Sequence, residues 1–496
     1  MQDNKYRTIE TATEKELNSF DVISSNKKWR PRFHINPPYG LLNDPNGFCY
    51  FNNEYHLFYQ WFPFGTFHGM KHWRHVVSKN LVEWKDKGVK ISPTLGYESH
   101  GAYSGAAFID NDNAYLFYTG NLKTEHGRDA NQCVATLSNT GAVHKSGANP
   151  IIRSVPKGYT GHVRDPKVIQ HDGHYYMLLG AQREVDLQGC IIVYESSDLS
   201  RWAFKGELTL SYSEALLPGY MYECPDLLQV DGQDVLIFSP QGVKPEGTRF
   251  HNLNNVVYCL GVMDWHNLEF SVEHWDELDK GFDFYAPQTM ANSPSNATLI
   301  AWAGTDERLP TEEHGWINCL TLARELSIKR ERLHQVPTSG LFNTLSKAGS
   351  LSITDNGSDT FELTSLSFMA NINVTQHNSE RGDINEAVRV KIALSDDGNN
   401  KIEFIVCQKS NRLILNRTNY DHHESDWDFG SIRECEYEDQ IEDITLICDQ
   451  SILEIYVNKG KYVFTSLFFP NDTAHFLNVC CNGNTSVNMD ISYTIL

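Results

Sequence analysis

The sequence predicts an all-β chain, a five-bladed β-propeller followed by a C-terminal β-sandwich, and three observations carry that prediction. Aromatic residues make up 12 % of the chain and cluster in short runs bounded by Asn, Asp and Gly, the pattern of strands and tight turns. Five of these runs recur at nearly constant spacing. Beyond Phe342 the recurrence stops, and shorter strands alternate apolar and polar residues.

Taken in order, residues 1–30, beginning MQDNKYRTIETATEKELNSF, read as a polar leader with helical character and no assigned role. Residues 31–335 hold the runs HLFYQ, YLFYT, YMLLG, VLIFS and LIAWA. These start at His56, Tyr115, Tyr176, Val235 and Leu299, at intervals of 59, 61, 59 and 64 residues. A polar turn precedes each (FNNE, DNDN, QHDG, DGQD and SPSN), which makes each run the second strand of a hairpin. About 60 residues accommodate roughly four strands of five or six residues with their turns, so five repeats describe five four-stranded blades. Residues 345–496 contain IEFIVCQ, DITLICDQ and a hairpin turning over Asn458, Lys459 and Gly460, the pattern of a β-sandwich.

A formal net charge of -21 repels nucleic acid and anionic membrane, and no stretch approaches 18 consecutive apolar residues. The first residues lack the apolar core of a secretory signal, and the 11 cysteines show no Cys-x-x-Cys spacing. A soluble protein of the reducing cytoplasm is expected.

Eleven to thirteen residues before each run start stand Asp44 in NDPNG, Ser104 in YSGAAF, Asp165 in VRDPKV, Glu223 in YECPDLL and Ala286 in YAPQT. Equivalent positions of a propeller surround its axis at one height. If these segments are the innermost strands, Asp44, Asp165 and Glu223 converge at one mouth of the channel, stiffened by Pro45, Pro166 and Pro225. A lone Asp before Pro is ordinarily a turn residue; three acids at one repeat position point to a site. The strands offer no dense Asp-x-Asp loop for Ca²⁺, and His68, His72 and His75 in FHGMKHWRH lack a zinc motif, so neither metal nor cofactor is expected.

Paired carboxylates near aromatic side chains suit glycoside hydrolysis, with one ionised and one protonated. Glu223, flanked by Tyr222, Cys224 and Pro225, reads as the acid in an apolar setting, whereas Asp44, between Asn43 and Asn46, reads as the ionised partner. The residues alone leave the role of Asp165 open. Trp61, Phe62, Phe64, Trp73 and Tyr103 could supply a stacking surface, although each alone more often packs a core.

At LLNDPNG, FYQ, YSGAA, YTGN, RDPKV, YECPDL, FYAPQT and EHGWINCLTLARELSI the sequence resembles glycoside hydrolase family 32, the β-fructofuranosidases, over about residues 30–496. The resemblance implies Asp44 as nucleophile, Glu223 as general acid/base and Asp165 as stabiliser of the transition state. It further implies fructosyl contacts from Asn43, Gln60, Trp73, Ser104, Arg164, Tyr285 and Trp302. The reaction would be retaining cleavage of a terminal β-fructofuranoside such as sucrose 6-phosphate, sucrose or a fructo-oligosaccharide. Arg74, Val163 and Tyr103 depart from the usual pattern and put the leaving-group side in question; Arg74 could meet a phosphate or be a surface charge. An exo-acting fructan hydrolase and a fructosyltransferase are the neighbouring readings. A sugar-binding propeller without chemistry would be expected to have lost an acid. The sandwich is assigned to packing against the propeller or to subunit contact in a homo-oligomer.

Overall fold

Two-residue turns set the geometry of the repeat. Asn52 and Asn53 (φ 50° and 60°), Asp172 and Gly173 (48° and 78°) and Asp231 and Gly232 (51° and 85°) all adopt left-handed backbone, as type I′ hairpins require. They join strands Gly40–Phe51 to Glu54–Phe62, Tyr159–His171 to His174–Arg183, and Met221–Val230 to Gln233–Gln241. Ala107–Asp110 and Asn113–Thr124 pair across the same short reach, and Tyr285–Thr289 pairs with Thr298–Ala303 over a longer loop. Each of the five repeated runs therefore lies on the second strand of its hairpin.

The computed structural model describes residues 5–494 except 126, 213–218, 305–307, 355, 377–387, 397–399, 421–429, 472–473 and 484. Five antiparallel sheets of four principal strands each make the blades of a propeller. The first strand of each sheet touches the first strand of the next, and Tyr285–Thr289 returns to Gly40–Phe51, so the ring is closed with these strands innermost. Closure is reinforced where Trp316–Ile317 pairs in parallel with Gly40 and Leu41. There the Gly40 N–H donates to the Gly315 carbonyl at 2.8 Å. Only glycine fits at position 40: its φ is +72° and a Cβ would stand 2.1 Å from the Phe62 carbonyl oxygen.

Apolar side chains fill the seams between blades. Phe58, Trp73, Leu116 and Tyr118 pack between the first and second, Phe117, Val168, Met177 and Ile192 between the second and third, and Leu178, Ile191, Leu236 and Phe238 between the third and fourth. After the last blade strand, Arg332–Pro337, two six-stranded sheets pack face to face around Phe368, Ile392, Phe404, Leu446 and Phe464 as a β-sandwich.

A buried polar network joins sandwich to propeller. Arg324, fully buried, donates to Glu454 Oε2 (Nη2 2.8 Å, Nε 3.0 Å), to Asp279 Oδ2 (2.9 Å) and to Thr465 Oγ1 (2.6 Å). Glu454 Oε1 meets His34 Nε2 at 3.0 Å, while His34 Nδ1 meets Asp449 Oδ2 at 2.9 Å. Asp449 also accepts the backbone N–H groups of Arg32, Phe33 and His34. Charges removed from water are tolerable only when paired this completely, and deleting one partner of such a set costs about 3–5 kcal/mol.

Burial by itself would lower the pKa of His34, but its hydrogen bonds to Asp449 and Glu454 overcome that and raise it to about 9. A raised histidine contributes stability that is fully present below its unfolded pKa of about 6.5 and is lost as pH rises through 9, on the order of 3 kcal/mol in all. Urea titrations of the wild type should therefore lose stability between pH 6.5 and pH 9.5, and a His34→Gln variant should lack that loss. A wild-type curve that is flat over this window would show that His34 does not carry the charge.

Candidate active site

The inner strands break their ladders at one height. Asn43 and Asp44 together oppose Gln60, Asp165 and Pro166 oppose Leu179, Cys224 and Pro225 oppose Phe238, and Ala286 and Pro287 oppose Ala301. Each is a bulge, two residues against one, which re-aims side chains out of the sheet. Asp165 (φ 65°), Cys224 (48°) and Ala286 (46°) sit in left-handed backbone at these points, an uncommon state for residues with a Cβ. The register places Asp165 level with Cys224 and Ala286, and Glu223 level with Arg164 and Tyr285. Counting along the sequence had hidden this offset of one.

The offset matters because these level residues meet. Arg164 donates to Glu223 Oε1 through Nη2 at 2.7 Å and Nε at 2.8 Å, and the Tyr285 hydroxyl donates to Oε2. The surroundings of Glu223 are thus a cation and a phenol, not the apolar setting its sequence neighbours suggested. Asp44 accepts from the Ser104 hydroxyl through Oδ2 and from Asn43 Nδ2 through Oδ1 at 3.2 Å. Asn43 Nδ2 also donates to Gln60 Oε1 at 2.8 Å, and Gln60 Nε2 to Ser104 Oγ at 2.5 Å, so four residues hold one another in place. Asp165 Oδ2 accepts the Cys224 backbone N–H at 3.0 Å and lies 4.0 Å from Arg164 Nε. Behind the acids, Asn46 grips the loop by donating to the Asp44 carbonyl (3.0 Å) and accepting the Gly105 N–H (3.0 Å).

A cavity of about 240 Å³ opens onto this constellation. Its lining includes Asn43, Asp44, Gln60, Ser104, Arg164, Asp165, Glu223, Tyr285 and Trp302, nine of the ten residues singled out from the sequence. The Asn43 Oδ1 and Trp302 Nε1 atoms are buried there without a hydrogen-bond partner among the described residues, available to a ligand. Trp73 is the exception. Its ring is fully buried between blades against Phe58 and Tyr118, and its indole N–H donates to the Tyr103 carbonyl at 3.1 Å. It supports the wall from behind. Of the other proposed stacking aromatics only Tyr103 lines the cavity; Trp61 and Phe62 are wholly buried. Arg74 is engaged elsewhere, bonded to Asp86 and lying 4.6 Å over the Trp61 ring.

Sequence reasoning missed Lys5, Tyr6, Lys71, His100 and Lys123, which also line the cavity. Lys71 lay within a motif weighed only as a zinc site, and its ammonium meets His68 Nδ1 at 3.0 Å. The leader reads as helical, and it carries no sign of a role at the cavity. It forms a helix, Glu14–Ser25, opened by a capping box in which Thr13 and Glu16 bond each other's backbone. The residues before the helix lie against the cavity mouth.

Burial raises the pKa of Asp44, with the charge of Glu223 adding to the rise, while the Ser104 hydrogen bond and the Lys71 charge oppose it. Burial also pushes Asp165 up, to about 7: Arg164 holds it down, and the charges of Glu223 and Asp44 raise it further. Crowded carboxylates in a cleft mark a functional site rather than a stabilising one.

The chain is similar to known proteins over nearly its whole length. The glycosyl hydrolases family 32 N-terminal domain matches residues 34–337, and the family 32 C-terminal domain matches residues 331–495. A sucrose-6-phosphate hydrolase of Vibrio alginolyticus is 37 % identical over 477 residues, 95 % of this chain and 92 % of that protein. One from Bacillus subtilis is 33 % identical over 483 residues, 96 % of each chain. Among solved structures, a sucrose-6-phosphate hydrolase from Lactobacillus gasseri superposes with a TM-score of 0.88 at 30 % identity, covering 100 % of both chains. A Bombyx mori GH32 beta-fructofuranosidase gives 0.82 at 28 %, covering 98 % of both.

A carboxyl whose folded pKa is raised from about 3.8 to about 7 favours the fold below pH 3.8 and loses that contribution as pH rises through 7. Asp165→Asn should accordingly stabilise the protein at pH 8, by a few kcal/mol at most, with the gain vanishing towards pH 4. Thermal melts of both proteins across that range check it, and a destabilised variant at pH 8 would contradict the strain assigned to Asp165.

Proposed function

The chain belongs to glycoside hydrolase family 32 and is a β-fructofuranosidase, and from that premise we propose that it hydrolyses sucrose 6-phosphate and sucrose in the cytoplasm by double displacement. The observation that carries the reading is the placement of Asp44 and Glu223 on one cavity, each held by its own donors. Asp44, its carboxylate oriented by Ser104 and Asn43, attacks the anomeric C2 of the terminal fructosyl unit. Glu223, steadied by Arg164 and Tyr285, delivers a proton to the departing glucosyl oxygen. In the second step Glu223 takes a proton from water, which attacks C2 and releases fructose with retention.

Asp165 supplies the third charge. Packed near two other acids it is unfavourable in the empty site, and the positive charge that develops on the fructosyl ring relieves that repulsion. Interactions stronger in the transition state than before it raise kcat. Its side chain and Asn43 Oδ1, which has no hydrogen-bond partner among the described residues, would receive fructosyl hydroxyls.

The phosphorylated substrate is supported by the relatives, several of which are sucrose-6-phosphate hydrolases aligned over nearly their whole length. Phosphorylated sugars are retained inside cells, and all 11 cysteines are free thiols, as a reducing compartment allows.

Asp44→Asn is expected to lower kcat by about 10⁴ or more while leaving the melting temperature near that of the wild type. A variant keeping a tenth of wild-type activity would remove Asp44 from the nucleophile's role. Glu223→Gln should lose far less on β-fructosyl fluoride, whose leaving group needs no proton, than on sucrose. Equal losses on both would argue against acid catalysis by Glu223. NMR of the first-formed product should show β-fructofuranose; the α anomer would rule out double displacement.

A further inference from the structure

The floor of the cavity is acidic, but its rim is not. In a chain with 63 acidic and 42 basic residues, three lysines, Lys5, Lys71 and Lys123, line this one opening. Several other cations of the chain are paired, as in Arg7 with Glu16 (2.9 Å), Arg74 with Asp86 and Lys145 with Glu98. The ammonium groups of Lys5 and Lys123 have no carboxylate partner among the described residues. Lys123 Nζ instead donates to the Tyr6 hydroxyl at 2.8 Å, which leaves the phenolic proton free to be donated outward.

These groups are held in place. The Met70 N–H donates to the Lys5 carbonyl at 2.8 Å, and the Ile9 N–H to His72 Nε2 at 3.1 Å. The Tyr6 ring packs edge-on against His100 at 4.8 Å, and His100 Nδ1 accepts the Lys123 backbone N–H at 3.1 Å. Residues 5–9 thus lie as a strap beside the second blade, presenting Lys5 and Tyr6 alongside Lys123.

We propose that Lys5, Lys71, Lys123 and the Tyr6 hydroxyl form a subsite for a phosphoryl dianion carried by the leaving sugar. With the fructosyl ring over the acids, the leaving glucosyl unit points towards this rim, where point-charge ammonium groups and one hydroxyl donor match phosphate oxygens. The assignment rests on the proposed hydrolysis of sucrose 6-phosphate and adds which residues select the phosphate.

The test compares kcat/KM for sucrose 6-phosphate and for sucrose in the wild type, Lys123→Gln, Lys5→Gln and Tyr6→Phe. It also measures inhibition of sucrose hydrolysis by glucose 6-phosphate and by inorganic phosphate. The ratio of the two kcat/KM values should fall about tenfold in Lys123→Gln, mainly through KM for the phosphorylated sugar, with partial recovery in Lys123→Arg. Inhibition by glucose 6-phosphate should weaken by a similar factor. A wild type that shows no preference for sucrose 6-phosphate, yet is inhibited by glucose 6-phosphate through Lys123, would sink the substrate reading and keep the subsite. A wild-type preference left intact in all three variants would overturn the subsite and keep the substrate. Inhibition by inorganic phosphate that matches glucose 6-phosphate, and weakens equally in the variant, would assign the rim to free phosphate and overturn the link to the leaving sugar. Melting temperatures near wild type confirm that the exposed Lys5 and Lys123 have been changed without disturbing the fold.

Discussion

A strand that keeps its ladder cannot turn a side chain along the axis of a propeller, because alternate residues point to the two faces of their own blade. The site exists because four inner strands give up that regularity at the same height. Proline makes the break tolerable. At Pro166, Pro225 and Pro287 the second bulge residue has no N–H, so the interruption does not orphan a donor where nothing could accept it. The left-handed backbone of Asp165, Cys224 and Ala286 still costs about 1–2 kcal/mol per residue, which the apolar seams between blades must offset.

Every acid takes a donor from a neighbouring blade. Asp44 of the first blade takes its hydroxyl donor from Ser104 ahead of the second; Asp165 of the third takes a backbone N–H from Cys224 of the fourth; Glu223 of the fourth is held by Arg164 of the third and Tyr285 of the fifth. The carboxylates repel one another, and each is kept in position by a neighbour across a seam. Ring closure at Gly40 and Trp316 is therefore as necessary to the chemistry as the acids are. So is the buried set around Arg324, which docks the sandwich beside the strand that completes the fifth blade.

The repeat was legible because hairpin turns announce themselves locally: Asn-Asn, Asp-Gly and Asp-Gly before apolar runs are conformational requirements of two adjacent residues. The acids were legible because a repeat turns sequence spacing into height around an axis. What failed was finer than a repeat can resolve. A tolerance of two residues could not show that Glu223 is level with Arg164 and Tyr285, nor that these would replace its apolar neighbours as its surroundings. Trp73 was misplaced because an aromatic on a strand next to a site looks the same whether it faces the ligand or the seam behind it. Lys5 gave no signal, since a lone lysine in a polar leader resembles any solvated one.

The leader's place depends on contacts more than sixty residues away, and its chemistry explains why it can be relied upon there. The Ile9 N–H needs a lone pair on His72 Nε2, while Nδ1 is directed at the Met70 carbonyl at 3.1 Å, so the ring must be neutral with its proton on Nδ1. Burial supplies that condition by lowering the His72 pKa to about 4. The anchor then holds across the whole range in which a phosphorylated sugar is a dianion. Phe20 stacked on Tyr39 at 4.1 Å, and the Glu10 carboxylate accepting from Ser92, fasten the same segment at two further points. A strap tied by a neutral histidine, a ring stack and a carboxylate keeps Lys5 and Tyr6 at the rim of the cavity whose floor the acids form.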